Sequence, residues 1–330
     1  TIPKTAVFAD TGQRSFKELA KIFGHEVESF IPENYRNSAA TIGTQPPWYF
    51  YIGKEKFIAR VNEYSEAYKT FNNSFDREKI EIQTSISQFI DELQPSNFDR
   101  NLLDSQYIEH FEKSIQPFLV GNILPPPKYS RTKTKTGRMS VIEGPNVLTC
   151  HSGLRAGIVG AHQVDFVSME PNFLLQFIGK KPTPNLYDDI RKEIFNDKVS
   201  RAKVKVATIS ALYGSDRKDK FARTISDYFR VEEVIKDLES RIVDDTIRNE
   251  YGRLIHLQGA RDRHLLSLWL QSSAADGALY GFYNFSKHND IKPLWIIHDA
   301  LIFIGDDKAI SAEELDIGLN TILPVKVDKL

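Results

Sequence analysis

Leu294-Trp295-Ile296-Ile297-His298-Asp299-Ala300-Leu301-Ile302-Phe303-Ile304 is apolar except for the central pair His298-Asp299. Such a run reads as two strands joined across a polar turn. A carboxylate among strand residues is costly unless something compensates it. A second acid, Asp165, lies in a similar setting: Val164 to Met169 reads as a strand, and Glu170-Pro171 opens a helix through Phe173-Leu174-Leu175-Gln176-Phe177. Between the two acids, long helices are expected at about 185 to 212, 231 to 250 and 262 to 286. Upstream, a strand is expected at Ala6-Val7-Phe8, a short helix near Ser15 to Phe23 and a loop at Gln45 to Phe50. From Glu55 to Phe118 the pattern is largely helical, until Leu124-Pro125-Pro126-Pro127 breaks it. Helices first, then strand, helices and a strand pair, make the fold class α+β.

The bulk numbers bound the function classes. The 330 residues suffice for two or three packed subdomains. Net charge is −1, so positive charge for an anionic partner has to be local. The single cysteine, Cys150, excludes an internal disulfide framework and fits a reducing cytosol. No apolar run approaches a membrane span, and Thr1-Ile2-Pro3-Lys4 lacks the apolar core of a signal peptide, so a cytoplasmic location without a membrane partner is expected.

Four constellations carry chemistry, each with a plainer alternative. Asp165 and Asp299, brought together on one sheet, can bridge two Mg²⁺ ions; the alternative is a pair of solvated turn residues. Arg201, Lys205, Ile209 and Tyr213 recur every four residues, followed by Gly214. On a helix they form one slowly turning stripe: two cations for a triphosphate, then an apolar and an aromatic surface for a base. The alternative is an amphipathic helix with a solvated basic edge. Arg263 and Gln271 lie eight residues apart on a later helix and could face one groove, donating to minor-groove acceptors, or could be a surface pair. The run Lys128 to Arg138 holds five cations and no acid, suited to phosphates or simply a solvated loop.

Taken in order, these segments resemble the family A DNA polymerases. Thr134-Lys135-Thr136-Gly137-Arg138-Met139-Ser140, with Pro145-Asn146 after it, is similar to the family's T-x-T-G-R-[LM]-S…P-N segment. Asp165 to Glu170 resembles motif A, and Arg201 through Tyr213-Gly214 resembles motif B. Arg263 through Gln271-Ser272-Ser273-Ala274-Ala275-Asp276 resembles the R-x7-Q-G-[ST]-A-A-D segment, and His298-Asp299 resembles motif C. The resemblance covers roughly 128 to 304. It departs at Ala300, where motif C usually has Glu, at Ile209, where an aromatic is commoner, and at Tyr187, near the family's triphosphate-binding His. Only 36 residues separate Asp165 from Arg201, implying trimmed fingers.

The resemblance implies a right-hand fold: an N-terminal segment (1–54), a helical thumb (55–125), a palm with an antiparallel sheet (126–180 and 256–330) and helical fingers (181–255). It implies template-directed addition of dNTPs to a primer 3′-end, with Asp165 and Asp299 as ligands for two Mg²⁺ ions, Mn²⁺ being a substitute. Lys205 would protonate the leaving pyrophosphate. Arg201, Lys205, Ile209, Tyr213, Phe166 and Tyr187 would form the nucleotide site, with Glu170 as the gate against a ribose 2′-hydroxyl. Arg138, Arg263, Gln271, His298, Gly214, Lys133, Lys135 and Asn146 would contact primer–template. A monomer is expected, working beside a replication helicase, primase or processivity factor, in a host cytoplasm if phage-encoded. Gly12 stands where an exonuclease start at Phe8-Ala9-Asp10-Thr11 would need Glu, so no proofreading is expected. A single-subunit phage-type RNA polymerase and a catalytically weak polymerase-fold protein that binds primer ends are the competing readings.

Overall fold

The computed structural model describes residues 76–213 and 220–330, together with Ala59, Asn62, Ser65 and Glu66. The expectations for 1–54, for most of 55–75 and for Gly214 lie outside the described residues. The chain divides into two compact units, Thr1–Arg77 and Glu78–Leu330.

Helix α1 (Arg77–Asp91) leads to a small sheet of β1 (Ser96–Asn97) and β2 (Ile123–Leu124), with α2 (Ile108–Ser114) between its strands. The hairpin β3 (Lys128–Ser130) and β4 (Ser140–Glu143) precedes β5 (His162–Phe166). Next come α3 (Met169–Phe177), α4 (Leu186–Phe195), α5 (Arg201–Tyr213), α6 (Lys220–Tyr228) and α7 (Val231–Ser240). The hairpin β6 (Thr246–Arg248) and β7 (Leu254–His256) leads to the long helix α8 (Asp262–His288). The chain closes with β8 (Ile291–Ile297), β9 (Ala300–Gly305), α9 (Asp307–Ile310), β10 (Glu314–Asp316) and β11 (Ile322–Lys329). Among the described residues no helix is long and apolar enough to cross a membrane.

The central sheet is antiparallel, in the order β10-β11-β5-β9-β8. A core built from helices before and after residues 98–161 covers one face and residues 98–161 cover the other, which explains why both strands after Leu294 are apolar throughout. Val164, Phe166, Ile296, Leu301 and Phe303 join the helices in one core. Trp295, Ile297 and Ile302 join Phe98, Phe111, Leu124 and Leu154 in a second. The register of β8 against β9 shifts between Pro293 and Trp295, and Leu294 and Trp295 both enter this second core. Trp295 is 1% exposed, and its replacement by Ala should cost about 3–5 kcal/mol.

α8 lies hard against the sheet because its sheet-facing positions are small. A Cβ on Gly281 would sit 3.0 Å from the Phe166 ring and 2.9 Å from Ile317 Cγ2. The helix expected over 185–212 is two helices, α4 and α5, because Asn196 and Asp197 take positive φ (46° and 59°) and end the first. Asn and Asp tolerate that conformation better than other side-chain-bearing residues. The expected 231–250 helix likewise stops at Ser240, ahead of positive φ at Asp244 and Asp245. Within 55–118, α1 ends before Pro95, and the short strand β1 and two 3₁₀ turns separate it from α2. Strands β10 and β11 have no counterpart in the sequence reading; Pro324 and the charged Lys326, Asp328 and Lys329 mask β11.

Candidate active site

Asp165 is the penultimate residue of β5, directly opposite Ala300 on β9 and Lys326 on β11. Asp299 lies in the two-residue connection between β8 and β9, where His298 takes φ +55°. Positive φ at the first position of such a turn normally calls for Gly, so the backbone is strained beside Asp299. The Phe166 N–H donates to the Asp299 carbonyl at 3.1 Å, tying the strand of one acid to the turn of the other. Burial and then the Asp299 charge push the Asp165 carboxyl up to about 6, against the pull of Arg155. Burial also raises Asp299, with Glu170 the next contributor. Half-buried carboxyls that raise one another's cost of ionisation are stabilised by a nearby cation.

The chain then turns sharply: Ser168 is left-handed (φ 51°, ψ 57°) and caps α3, which puts Glu170 in the first helical turn. Glu170 pairs with the Arg138 guanidinium, and its charge acts on the Tyr213 phenol nearby. Burial first, and the Glu170 charge second, push the Tyr213 phenol up. The Arg201 guanidinium lies 5.3 Å above the ring of Tyr187, whose phenol burial pushes up. The two ends of the α5 stripe therefore meet Tyr187, at Arg201, and Glu170, whose charge acts on Tyr213. Side chains four apart share a helix face, so Lys205 and Ile209, both exposed, belong to that stripe. A cleft beside it is lined by Arg138, Glu170, Gln271, His298 and Asp299, with Ala274 and Ala275 as an apolar wall.

Two expectations are corrected. Phe166 is not at a nucleotide site: alternation along β5 turns it to the opposite face from Asp165, where it is 3% exposed and packs on Phe282 at 5.4 Å. Arg263 does not line the groove. Its largely buried guanidinium donates to the Ala211 carbonyl and to Ser226 Oγ (3.0 Å), and pairs with Glu232 (3.4 Å), joining α8 to α5, α6 and α7. The basic run also divides. Arg131 turns inward, Lys128 pairs with Glu143, and Lys135 bonds Gln258. Lys133 is exposed, as is Asn146, whose carbonyl accepts from Thr149 and Cys150 N–H groups.

The sequence reading missed a buried hub. Asp276 accepts from Arg131 (2.7 Å), Arg253 (2.8 and 2.9 Å), Asn249 (2.9 Å) and Gln83 (3.0 Å). Burial works to raise its carboxyl, but the Arg253 hydrogen bonds and the charge of Arg131 hold it below the usual range. Arg253 crosses over Gly137 (φ +72°), leaving no room for a side chain there. This fixes the loop that carries Arg138. Also missed was the setting of Asp165, where Arg155, Lys326 and Asp328 act on its charge. Only the Asp276 position had a sequence signal, within the quoted segment; the others have none, because their partners are distant in sequence.

Among the described residues no group of three or more His, Cys, Asp and Glu is arranged to hold a metal. Asp165 and Asp299 still suit Mg²⁺, which takes hard oxygen ligands and commonly binds through one or two carboxylates, with water and substrate phosphates completing the shell. No family model matches the sequence, and no curated protein matches it. Among solved structures the chain is similar to the POL domain of Pol1 from M. smegmatis, in complex with DNA primer-template and dNTP. The identity is 17% and the TM-score 0.49, over 68% of this chain and 50% of that one. The chain thus spans half the length of that structure.

Proposed function

We propose that the chain is a template-directed DNA polymerase that adds dNTPs to a primer 3′-end. The observation that carries this is the Phe166 N–H bond to the Asp299 carbonyl, which ties the strand of Asp165 to the turn of Asp299, beside a helix whose Arg201 meets Tyr187 and whose Tyr213 feels the Glu170 charge. In this reading the central sheet is the palm (126–180 and 256–330), the helices of 181–255 are the fingers and 55–125 is the thumb. Asp165 and Asp299 would hold two Mg²⁺ ions, which when bound would supply Lewis-acid activation of the primer hydroxyl and stabilisation of the leaving pyrophosphate. Arg201 and Lys205 bind the triphosphate, and Lys205 donates a proton to the departing group. Ile209 and Tyr213 cover the nascent pair. Glu170, paired with Arg138, acts as the gate against a ribose 2′-hydroxyl. Arg138, Gln271 and His298 face the newest base pairs, while Lys133, Lys135 and Asn146 are available to backbone phosphates.

Primer extension with Mg²⁺, comparing dNTPs with rNTPs, tests this. Extension with dNTPs is expected, and Asp165→Asn or Asp299→Asn should abolish it while sparing DNA binding. Incorporation unaltered by either variant refutes the assigned roles. Preferential use of rNTPs would favour an RNA polymerase, and DNA binding without extension a non-catalytic replication protein.

A further inference from the structure

Arg201 opens α5 as a half-exposed side chain, whose value to a phosphate depends on how it is held. Two groups from α4 hold it. Asp188 Oδ2 approaches its Nε at 3.3 Å, and the Tyr187 ring lies under the guanidinium at 5.3 Å. Tyr187 is itself buried, so packing holds the ring in place. Asp188 has a second cation nearby, Arg191, but at 3.6 Å, and Arg191 is closer to Asp197 at 3.1 Å. No other ion pair or hydrogen bond engages Arg201 among the described residues.

A guanidinium presents a fork of five N–H donors, and a carboxylate that approaches Nε leaves terminal N–H groups for a second anion. We propose that Asp188 is a positioning residue for triphosphate binding: with Tyr187 it seats Arg201, orienting the fork toward the phosphates. This rests on the nucleotide site proposed above. It also decides between two opposite signs. A carboxylate that competed with phosphate for Arg201 would weaken nucleotide binding, whereas one that seats Arg201 strengthens it by reducing the side-chain ordering left to binding.

The test is a double-mutant cycle on the full chain, reading dATP affinity with Mg²⁺ by calorimetry. Asp188→Asn should weaken dATP binding by about threefold to fivefold, the range for a partly exposed ion pair. In primer extension the loss should appear in KM with kcat unchanged. In an Arg201→Ala background the same substitution should have no further effect. Asp188→Glu, which keeps the charge, should recover part of the affinity and serves as a second variant if the Asn form folds poorly. Unchanged or tighter binding by Asp188→Asn, or a loss that persists without Arg201, overturns the proposal. Inorganic tripolyphosphate is the second probe. If it follows the cycle while dATP does not bind and no primer is extended, the seat stands and the polymerase reading falls. If neither probe binds, both fall.

Discussion

At the scale of single residues, the Asp165 carboxyl is the most informative group. Its pKa is raised to about 6 by burial and by Asp299, so ionising it in the folded protein is unfavourable. A carboxyl whose folded pKa lies above its unfolded value stabilises the fold when protonated, and that contribution is lost as pH rises through the folded pKa. Asp165→Asn should therefore stabilise the metal-free protein at pH 7–8 by on the order of 1–3 kcal/mol, with the gain vanishing below pH ~4. Chemical denaturation at the two pH values checks this, and a destabilised variant at neutral pH would contradict it. The same ionisation governs the divalent ion. Mn²⁺ affinity should fall as pH is lowered through about 6, because a proton then occupies the ligand oxygen. Paramagnetic relaxation of water protons reads it directly. Ala300, opposite Asp165, adds no third acid to this pair.

At the scale of elements, two arginines of similar appearance differ in what they join. Arg263 links α8 to the helices α5, α6 and α7, so Arg263→Gln should lower the melting temperature while the salt dependence of DNA binding stays unchanged. A reduced salt slope would return Arg263 to the groove. Arg131 and Arg253 share the buried Asp276. Removing a buried carboxylate from beneath two guanidinium groups typically costs about 3–5 kcal/mol, so Asp276→Ala should be among the most damaging single changes. Asp276 is held below the ordinary carboxylate range, so its stabilisation is present above that range and lost as pH falls through the lowered value. Urea titrations across acid pH would show the wild type converging on the variant.

At the scale of the whole molecule, a sheet covered on both faces leaves its strand ends and turns to carry chemistry. Asp165, His298 and Asp299 all lie at one such end. With a net charge of −1, attraction to a polyanion has to come from local cations rather than a global field. Replacing Lys133 and Lys135 together by Gln should weaken duplex binding equally across sequences and reduce the salt slope by about 2. Filter binding across a salt series measures both quantities, and an unchanged slope would place these lysines away from the backbone.

The apolar run around His298-Asp299 pointed to two buried strands and the turn between them, since short, continuous, β-branched and aromatic stretches split by a polar pair suit a sheet covered on both sides. Four-residue spacing likewise determined that Arg201, Lys205, Ile209 and Tyr213 share a face of α5. Tertiary structure alone decided whom neighbouring residues meet. It packed Phe166 on Phe282, gave Arg263 to a helix junction and Arg131 to Asp276, and added β10 and β11 to the sheet. The physical reason is that periodicity encodes burial, a local property of the chain. A partner is encoded by shape and charge on segments up to hundreds of residues away, as Arg131 and Asp276 are by 145.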